Sequence, residues 1–172
     1  MHEVLDSELA TCFLAYSRSR MIGQNWPNMR ECVESLTDEQ IWSRPNEASN
    51  SIGNLLLHLN GNLTQLFLVR FTGIEDNRDR PREFKAIEEP SGAELLRRLG
   101  ATLEQVDQAL AHLTPEDLLQ SYTILGRQMR GLDVIYRVVE HFGMHYGQII
   151  YATKAITAKD LGFYKEPAKT AP

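Results

Sequence analysis

Apolar side chains recur every three or four positions along four long stretches of the chain, which is the spacing of a buried helix face. These stretches cover residues 3–36, 52–73, 91–113 and 132–156. In the first of them Gly23 and Pro27 interrupt the pattern, so a kink or break is expected between these two residues. Strand-like alternation is scarce. The pattern therefore predicts an all-α protein built as a four-helix bundle.

Shorter elements are predicted between the long helices by capping residues and turn chemistry. In the stretch TDEQ, Thr37 precedes Gln40 by three residues, which is a capping box and predicts a short helix carrying Trp42. The stretch TPED predicts a second short helix after Thr114. In QSYTILGRQMRG, β-branched and aromatic residues flank Gly126, which indicates a small hairpin before the last helix.

Residues 74–90, IEDNRDRPREFKAIEEP, are polar, charged and interrupted by proline, which predicts a long loop between helices two and three. Loops of this length are uncommon in a compact domain and are usually functional or serve as a crossover. At about 3.3 Å per extended residue, this segment can span the full length of a helix. A crossover connection between helices two and three is therefore feasible.

Length, charge and cysteine content narrow the class of protein. The 172 residues are expected to form one domain over residues 1–158, followed by an irregular tail over residues 159–172. A formal net charge of −5 argues against a nucleic-acid-binding surface. No apolar run approaches the roughly 18 residues of a membrane span, and no signal peptide is visible. Cys12 and Cys32 are too far apart on one helix for a disulfide, so a reducing, cytoplasmic location is expected.

Three of the five histidines lie on apolar helix faces. His58 lies within LLLHLNG on the second helix, whereas His141 and His145 lie four residues apart in HFGMHYGQ and share one face of the last helix. One histidine on such a face is usually a packed, hydrogen-bonded core residue. Three neutral imidazoles that meet between facing helices make a good site for a divalent transition metal, with zinc or nickel expected. The residues alone leave both interpretations open.

The last helix also resembles part of the H-E-x-x-H motif of zinc proteases. In that motif a glutamate directly follows the first histidine and acts as the general base. Here Phe142 follows His141, whereas Glu140 precedes it and projects about 100° away around the helix. The protease interpretation is therefore rejected, and no general base is apparent in the sequence.

Two segments of the chain resemble the motif segments of the DinB-like superfamily, the damage-inducible and YfiT-like helical-bundle proteins. They are NSIGNLLLHLNGNL, with His58, and VVEHFGMHYGQIIY, with His141 and His145. The stretch LTDEQIWSRPNEASNSIGNLLLHL is similar in order and spacing, and RDRPREF resembles a loop of one bacterial branch. The resemblance covers nearly the whole chain. It implies a four-helix bundle with up-down-down-up topology and a long crossover.

The resemblance also implies a site and an assembly. It implies a divalent metal bound by His58 on the second helix and by His141 and His145 on the last, and it implies a homodimer. Gln148 lies in a similar H-x-G-Q stretch, so it is a candidate to support a metal-binding histidine. Better-known relatives use the metal to activate a low-molecular-weight thiol, such as bacillithiol or mycothiol, for transfer or isomerisation.

These observations favour a metal-binding protein, and within that class a metal-dependent enzyme acting on a small molecule with a thiol cosubstrate, as a thiol S-transferase does. A metal-binding stress-response protein without turnover and a metal-dependent hydrolase remain as alternatives. Arg78, Arg80 and Arg82 are candidates for binding the substrate; alternatively, they only pair with acidic residues of their own loop. The candidate dimer surfaces are the regions of Trp26 and Trp42 and the outer face of the first helix.

Overall fold

Helices make up most of the chain that the structure describes. The computed structural model describes residues 2–163, with side chains from residue 7 onward. In chain order the elements are α1 (His2–Arg18), a π-helical segment (Ser19–Asn25), α2 (Trp26–Glu34), α3 (Asp38–Trp42), α4 (Ile52–Asn62), a second π-helical segment (Leu63–Leu68), α5 (Val69–Phe71), α6 (Arg80–Lys85), α7 (Gly92–His112), α8 (Pro115–Leu119), β1 (Ser121–Ile124), β2 (Arg127–Arg130) and α9 (Gly131–Thr157). The predicted all-α bundle is confirmed, with its short helices and its hairpin. Residues 159–163 of the predicted tail carry no helix or strand, and the rest of the tail lies outside the described residues.

The first bundle helix consists of α1, the π-helical segment and α2 in continuous succession. A kink or break was predicted between residues 23 and 27; the structure has no break there, and the irregularity is the π-helical segment Ser19–Asn25. At the end of this segment the N–H of Trp26 donates to the carbonyl of Met21, five residues earlier. Pro27, the second residue of α2, follows this segment; it has no backbone N–H, so it cannot make a hydrogen bond to the preceding turn.

Contacts along the first and third bundle helices give their relative direction. Arg18 of α1 pairs with Asp107 of α7, whereas Trp26, farther along the first helix, lies against Gly100, earlier in α7. The two helices therefore run antiparallel. This direction agrees with the up-down-down-up order that the resemblance implies.

The second and fourth bundle helices, α4 and α9, are also antiparallel neighbours. His58 of α4 meets His141 of α9, whereas Ile52, earlier in α4, lines the same groove as Ala152, later in α9. Both helices contribute buried apolar side chains to one core. The largest fully buried side chains of the core include Met21, Met29, Leu56, Leu59, Phe67, Leu99, Leu103 and Phe142. Each of them contributes about 1.5–3 kcal/mol through burial.

The side chain of Trp42 is part of this core. It is only 7% exposed, and its Nε1–H donates to the carbonyl of Pro90 at 3.1 Å. The ring lies against Gly53 of α4, where any side chain would collide with it. The Trp42 side chain itself is therefore not available to a second copy, and dimerisation through the surrounding region stays a prediction. Trp26 is half-buried.

The segment predicted as a long loop contains one short helix, α6 (Arg80–Lys85), which the sequence interpretation missed. The side chain of Asp79 caps its first turn. The helix is fastened to α4, because Nδ2 of Asn54 donates to the carbonyls of Glu83 at 2.9 Å and Ala86 at 2.8 Å. The crossover is therefore held against the helix that carries the first of the three histidines.

The hairpin and the surface complete the fold. Strands β1 and β2 pair antiparallel, with Ser121 opposite Arg130, around a turn in which Leu125 and Gly126 both have positive φ. Cys12 is exposed and Cys32 is buried, and neither forms a disulfide. Within residues 2–163, no helix is both long enough and apolar enough to cross a bilayer.

Candidate metal centre

Three histidine rings meet between α4 and α9. His58 stands on the inner side of α4, and His141 and His145 stand one turn apart on the facing side of α9. The Nε2 atom of His141 lies 3.1 Å from Nε2 of His58 and 3.1 Å from Nε2 of His145. Within the described chain, the three residues form a group whose ligand atoms all lie within 4.8 Å of one another.

This arrangement fits the donor set of a transition-metal ion. Two nitrogens bound to one ion at about 2.0–2.1 Å lie roughly 3 Å apart when the angle between the bonds is near 90–110°. The two Nε2 separations of 3.1 Å match that spacing. Two Nε2–H groups cannot face each other at this distance, so the cluster must share a proton or hold a cation. A buried group of this kind could bind a metal ion.

Burial keeps two of the three rings, those of His141 and His145, uncharged. His58 and His145 are buried, and His141 is half-buried. Burial, with the neighbouring imidazoles and the cations of Arg78 and Arg137, lowers the pKa of His141 to about 4. Burial also lowers the pKa of His145, against the hydrogen bond that this ring makes with Gln148. His141 and His145 are therefore neutral at pH 7, which is the form of histidine that binds a metal.

The three rings differ in the groups that contact their Nδ1 atoms. Nδ1 of His58 lies 2.9 Å from Oε2 of Glu83, and Nδ1 of His145 lies 2.7 Å from Oε1 of Gln148. Nδ1 of His141 is buried and has no hydrogen-bond partner among the described residues. Gln148, the residue that the sequence indicated as a support, thus contacts a ring of the cluster.

The three arginines of the crossover have separate environments. Only Arg78 reaches the cluster, and it is bound to Glu83 through Nε–Oε1 at 2.6 Å and Nη2–Oε2 at 2.8 Å. The guanidinium of Arg80 lies over the ring of Phe84, 5.0 Å from its centroid, and Arg82 is exposed. For Arg78, the alternative of pairing within the loop is therefore observed. A role of the three arginines in substrate binding stays a prediction.

Two residues beside the cluster were missed from the sequence. Glu83 was treated only as a surface partner for the loop arginines, but it is 7% exposed and contacts His58. Burial alone would raise the pKa of Glu83, but hydrogen bonds from Arg78 and His58 outweigh it and lower the pKa. The ring of Phe84 lies 4.9 Å from that of His58. Around Glu83 the sequence shows mostly acidic and basic residues next to a proline. Solvated loops have the same composition, so nothing in the sequence indicated that Glu83 is buried.

An open groove lies next to the cluster. It has a volume of about 940 Å³ and runs between the loop after α3, the start of α4 and the second half of α9. Its wall includes Ile52, Leu55, Met144 and Tyr151, and Gln148, which contacts His145, borders it. A small molecule in this groove would therefore lie within one side chain of the histidine cluster.

Comparison with known proteins places the chain in a family. Residues 8–166 match the family described as "Protein of unknown function (DUF1572)". The chain belongs to this family. The match includes His58, His141 and His145, as well as the crossover with Glu83. No curated protein sequence matches the chain.

Two solved structures share the fold of this DUF1572 member. A DinB-like protein from Bacillus cereus ATCC 10987 superposes with a TM-score of 0.63 at 16% identity, over 78% of this chain and 87% of that one. A conserved protein from Enterococcus faecalis superposes with a TM-score of 0.62 at 16% identity, over 89% of this chain and 98% of that one. The DinB-like resemblance noted in the sequence is thereby confirmed for the fold. The fold and the histidine cluster are compatible with metal binding.

Proposed function

We propose that this protein binds one divalent transition-metal ion, zinc or nickel, through Nε2 of His58, His141 and His145. We further propose that it is an enzyme acting on a small molecule with a low-molecular-weight thiol as cosubstrate. The observation that carries the proposal is the convergence of three Nε2 atoms at separations of 3.1 Å. A packed core histidine would not need two further imidazoles at this distance.

A site with three neutral protein ligands is typical of a catalytic metal and not of a structural one. Structural zinc sites have four protein ligands, whereas three leave a position open for substrate or solvent. When bound, a divalent ion supplies Lewis-acid chemistry and lowers the pKa of a thiol or water that it contacts. His141 is the half-buried member of the three, so access from solvent on its side is expected.

Other residues of the protein contact the proposed metal-binding histidines and line a groove that could receive the substrate. The far nitrogens of His58 and His145 lie 2.9 Å from Glu83 and 2.7 Å from Gln148, so each of these two rings has a polar contact on the side away from the ion. The groove beside Gln148 offers apolar walls to the non-reacting part of a small molecule. A groove next to the cluster favours an enzyme over a protein that only stores or senses the metal.

The thiol cosubstrate is supported by the resemblance to thiol-using relatives and by the arginines near the cluster. A chain of net charge −5 would not attract a carboxylate-bearing thiol through its overall charge. Local cations must therefore bind it. Arg78 is bonded to Glu83, so the candidates are the exposed Arg80, whose guanidinium lies over the ring of Phe84, and the exposed Arg82. Substituting Arg80 and Arg82 with Gln should weaken thiol binding and leave the metal content unchanged.

Metal analysis of protein purified without a histidine tag tests the proposal. We expect about one divalent transition ion per chain, and we expect substitution of His58, His141 or His145 by Ala to abolish stoichiometric binding. His112→Ala is the matched control, because this exposed histidine at the end of α7 lies outside the cluster. Unchanged metal content in His145→Ala would contradict the ligand assignment.

A panel of thiols and electrophiles then separates the enzyme from its alternatives. Metal-dependent, thiol-dependent turnover above that of His141→Ala would support the transferase. Turnover with water in place of the thiol would favour a hydrolase. Stoichiometric metal binding without turnover on a broad panel would favour a metal-binding protein without catalytic function.

A further inference from the structure

A buried ion pair from the crossover lies behind the ring of His58. Arg78 and Glu83 are bound through two parallel contacts, and their side chains are only 5% and 9% exposed. Oε2 of Glu83 also lies 2.9 Å from Nδ1 of His58. Nη2 of Arg78 lies 3.1 Å from the same nitrogen. The pair therefore faces the side of the imidazole that points away from the histidine cluster.

These contacts select one tautomer of His58. If Nδ1 carried no proton, its lone pair could accept only the longer contact from Nη2 of Arg78 at 3.1 Å, and it would face the carboxylate of Glu83 at 2.9 Å, which is repulsive. If Nδ1 carries the proton, it donates to Glu83 at 2.9 Å, and Nη2 of Arg78 directs its N–H to the same carboxylate at 2.8 Å and not to Nδ1, which lies farther away at 3.1 Å. The neutral ring then has its lone pair on Nε2, which points at His141 and His145.

We propose that Glu83 is the positioning residue of His58, and that the crossover is thereby part of the metal site. The inference rests on the proposed metal binding and extends it to residues outside the three ligands. Carboxylates that hold the far nitrogen of a ligand histidine fix its orientation and raise its basicity. Of the three rings, only His58 has a charged partner of this kind among the described residues, because Gln148 is neutral and Nδ1 of His141 is unpaired.

The surroundings of the pair are shaped to hold it in this position. A methyl group on Gly61 of α4 would collide with Oε1 of Glu83 and lie 2.8 Å from Nε of Arg78, so the pair occupies the space that this glycine leaves. Nη1 of Arg78 donates to Oε1 of Gln65 at 3.0 Å. The backbone of Glu83 is tied to α4 through Asn54. Contacts on several sides thus fix both partners of the pair.

Affinity for zinc, measured by competition with a chromogenic chelator, tests the proposal. We expect Glu83→Gln to weaken zinc binding about 10–100-fold, because it removes the charge behind His58 while keeping the size of the side chain. Glu88→Gln is the matched control, since it makes the same chemical change at an exposed position of the same segment. Gly61→Ala should weaken binding in the same direction by displacing the carboxylate. Equal affinities of the wild type, Glu83→Gln and Gly61→Ala would overturn the inference.

A second measurement does not depend on metal or on any variant that must fold. Nitrogen-15 chemical shifts of the metal-free wild type report which nitrogen of His58 carries the proton. We expect the proton on Nδ1 of His58, and a proton on Nε2 would overturn the inference. If wild-type protein binds no zinc, the proposed function fails, whereas the tautomer still tests the position of Glu83. If it binds zinc and Glu83→Gln binds it equally well, only the positioning role fails.

Discussion

Arg78 makes several polar contacts beside the candidate metal centre. It is buried, bonds both oxygens of Glu83 and contacts the ring of His58. Taking two charges out of water is costly, and the loss of one partner leaves the other charge uncompensated. At this position, the stability of the fold and the proposed metal site therefore depend on the same two side chains.

Replacing Arg78 should be strongly destabilising even without metal. We expect Arg78→Ala to lower the free energy of unfolding by about 3–5 kcal/mol, because Glu83 then keeps a buried charge without a counter-charge. The double replacement Arg78→Met with Glu83→Leu should cost less than the sum of the two single changes. Urea denaturation of the metal-free proteins measures these differences.

The neighbouring Arg82 provides the comparison. It is exposed in the same short helix, so Arg82→Ala should change the free energy of unfolding by no more than about 0.5 kcal/mol. Similar losses for Arg78→Ala and Arg82→Ala would contradict the importance given to the buried pair.

Two glycines of helix α9, Gly131 at its first residue and Gly147 in its interior, have different surroundings. Gly131 touches the end of α8: its N–H donates to the carbonyl of Gln120 at 3.0 Å, and a side chain would collide with the carbonyl oxygen of Asp117. Gly147, in the interior of the same helix, has no atom near the position of an added methyl group. Gly131 and Gly147 thus have opposite structural requirements within one helix.

Alanine substitutions at these glycines should change stability in opposite directions. Gly131→Ala should lower the free energy of unfolding by about 1–3 kcal/mol, because the backbone of α8 must move to admit the methyl group. Gly147→Ala should raise it by about 0.5–1 kcal/mol, since alanine favours a helix interior over glycine. Thermal or urea unfolding of both variants measures the effect. The same sign for both would show that close packing at Gly131 does not limit this helix.

At the scale of the whole molecule, the ion pair between Arg18 and Asp107 joins the first bundle helix to the third. Nε of Arg18 lies 2.6 Å from Oδ1 of Asp107, and the side chains are 40% and 35% exposed. The hydrogen bond and charge of Arg18 lower the pKa of Asp107 against the effect of burial. Because the folded pKa lies below the unfolded value of about 3.9, the stabilisation is present above that value and is lost as pH falls through the folded pKa.

Asp107→Asn should therefore have an effect that depends on pH. At neutral pH we expect it to lower the free energy of unfolding by about 0.5–1 kcal/mol, a small value because solvent screens a partly exposed pair. The difference from wild type should stay constant down to about pH 5 and shrink below about pH 4. Denaturant titrations across this range test it, and a difference that grows on acidification would contradict the sign.

The homodimer is a further expectation at this scale. Leu9 and Tyr16 lie two turns apart on α1 and are 67% and 68% exposed, so the outer face of the first helix is available to a second copy. We expect a dimer at micromolar concentration by light scattering, and a monomer when both residues are replaced by Lys. Tyr151→Lys, an equally exposed change on α9, should leave the dimer intact. A monomeric wild type would contradict the expectation.

The sequence determined the parts of this protein that depend on neighbours in the chain. Helical periodicity, the capping box of Thr37 with Gln40, and the hairpin around Gly126 are formed by contacts within a few residues, and the structure has all of them. The shared face of His141 and His145 follows from the helix repeat alone. In the same way, the apolar neighbours of His58 predicted a position facing the interior.

Only the tertiary structure decided what these elements bring together. His58 and His141 are 83 residues apart in sequence, and packing of α4 against α9 sets the 3.1 Å between their nitrogens. Glu83 has the sequence context of a solvated loop residue, and it is buried because α6 docks on α4 beside Gly61. Likewise, the kink or break expected near Pro27 is a π-helical segment within a continuous helix. Local hydrogen bonds and helical periodicity depend on residues that are close in the sequence. The burial of a charge depends instead on which elements, distant in the sequence, pack over it.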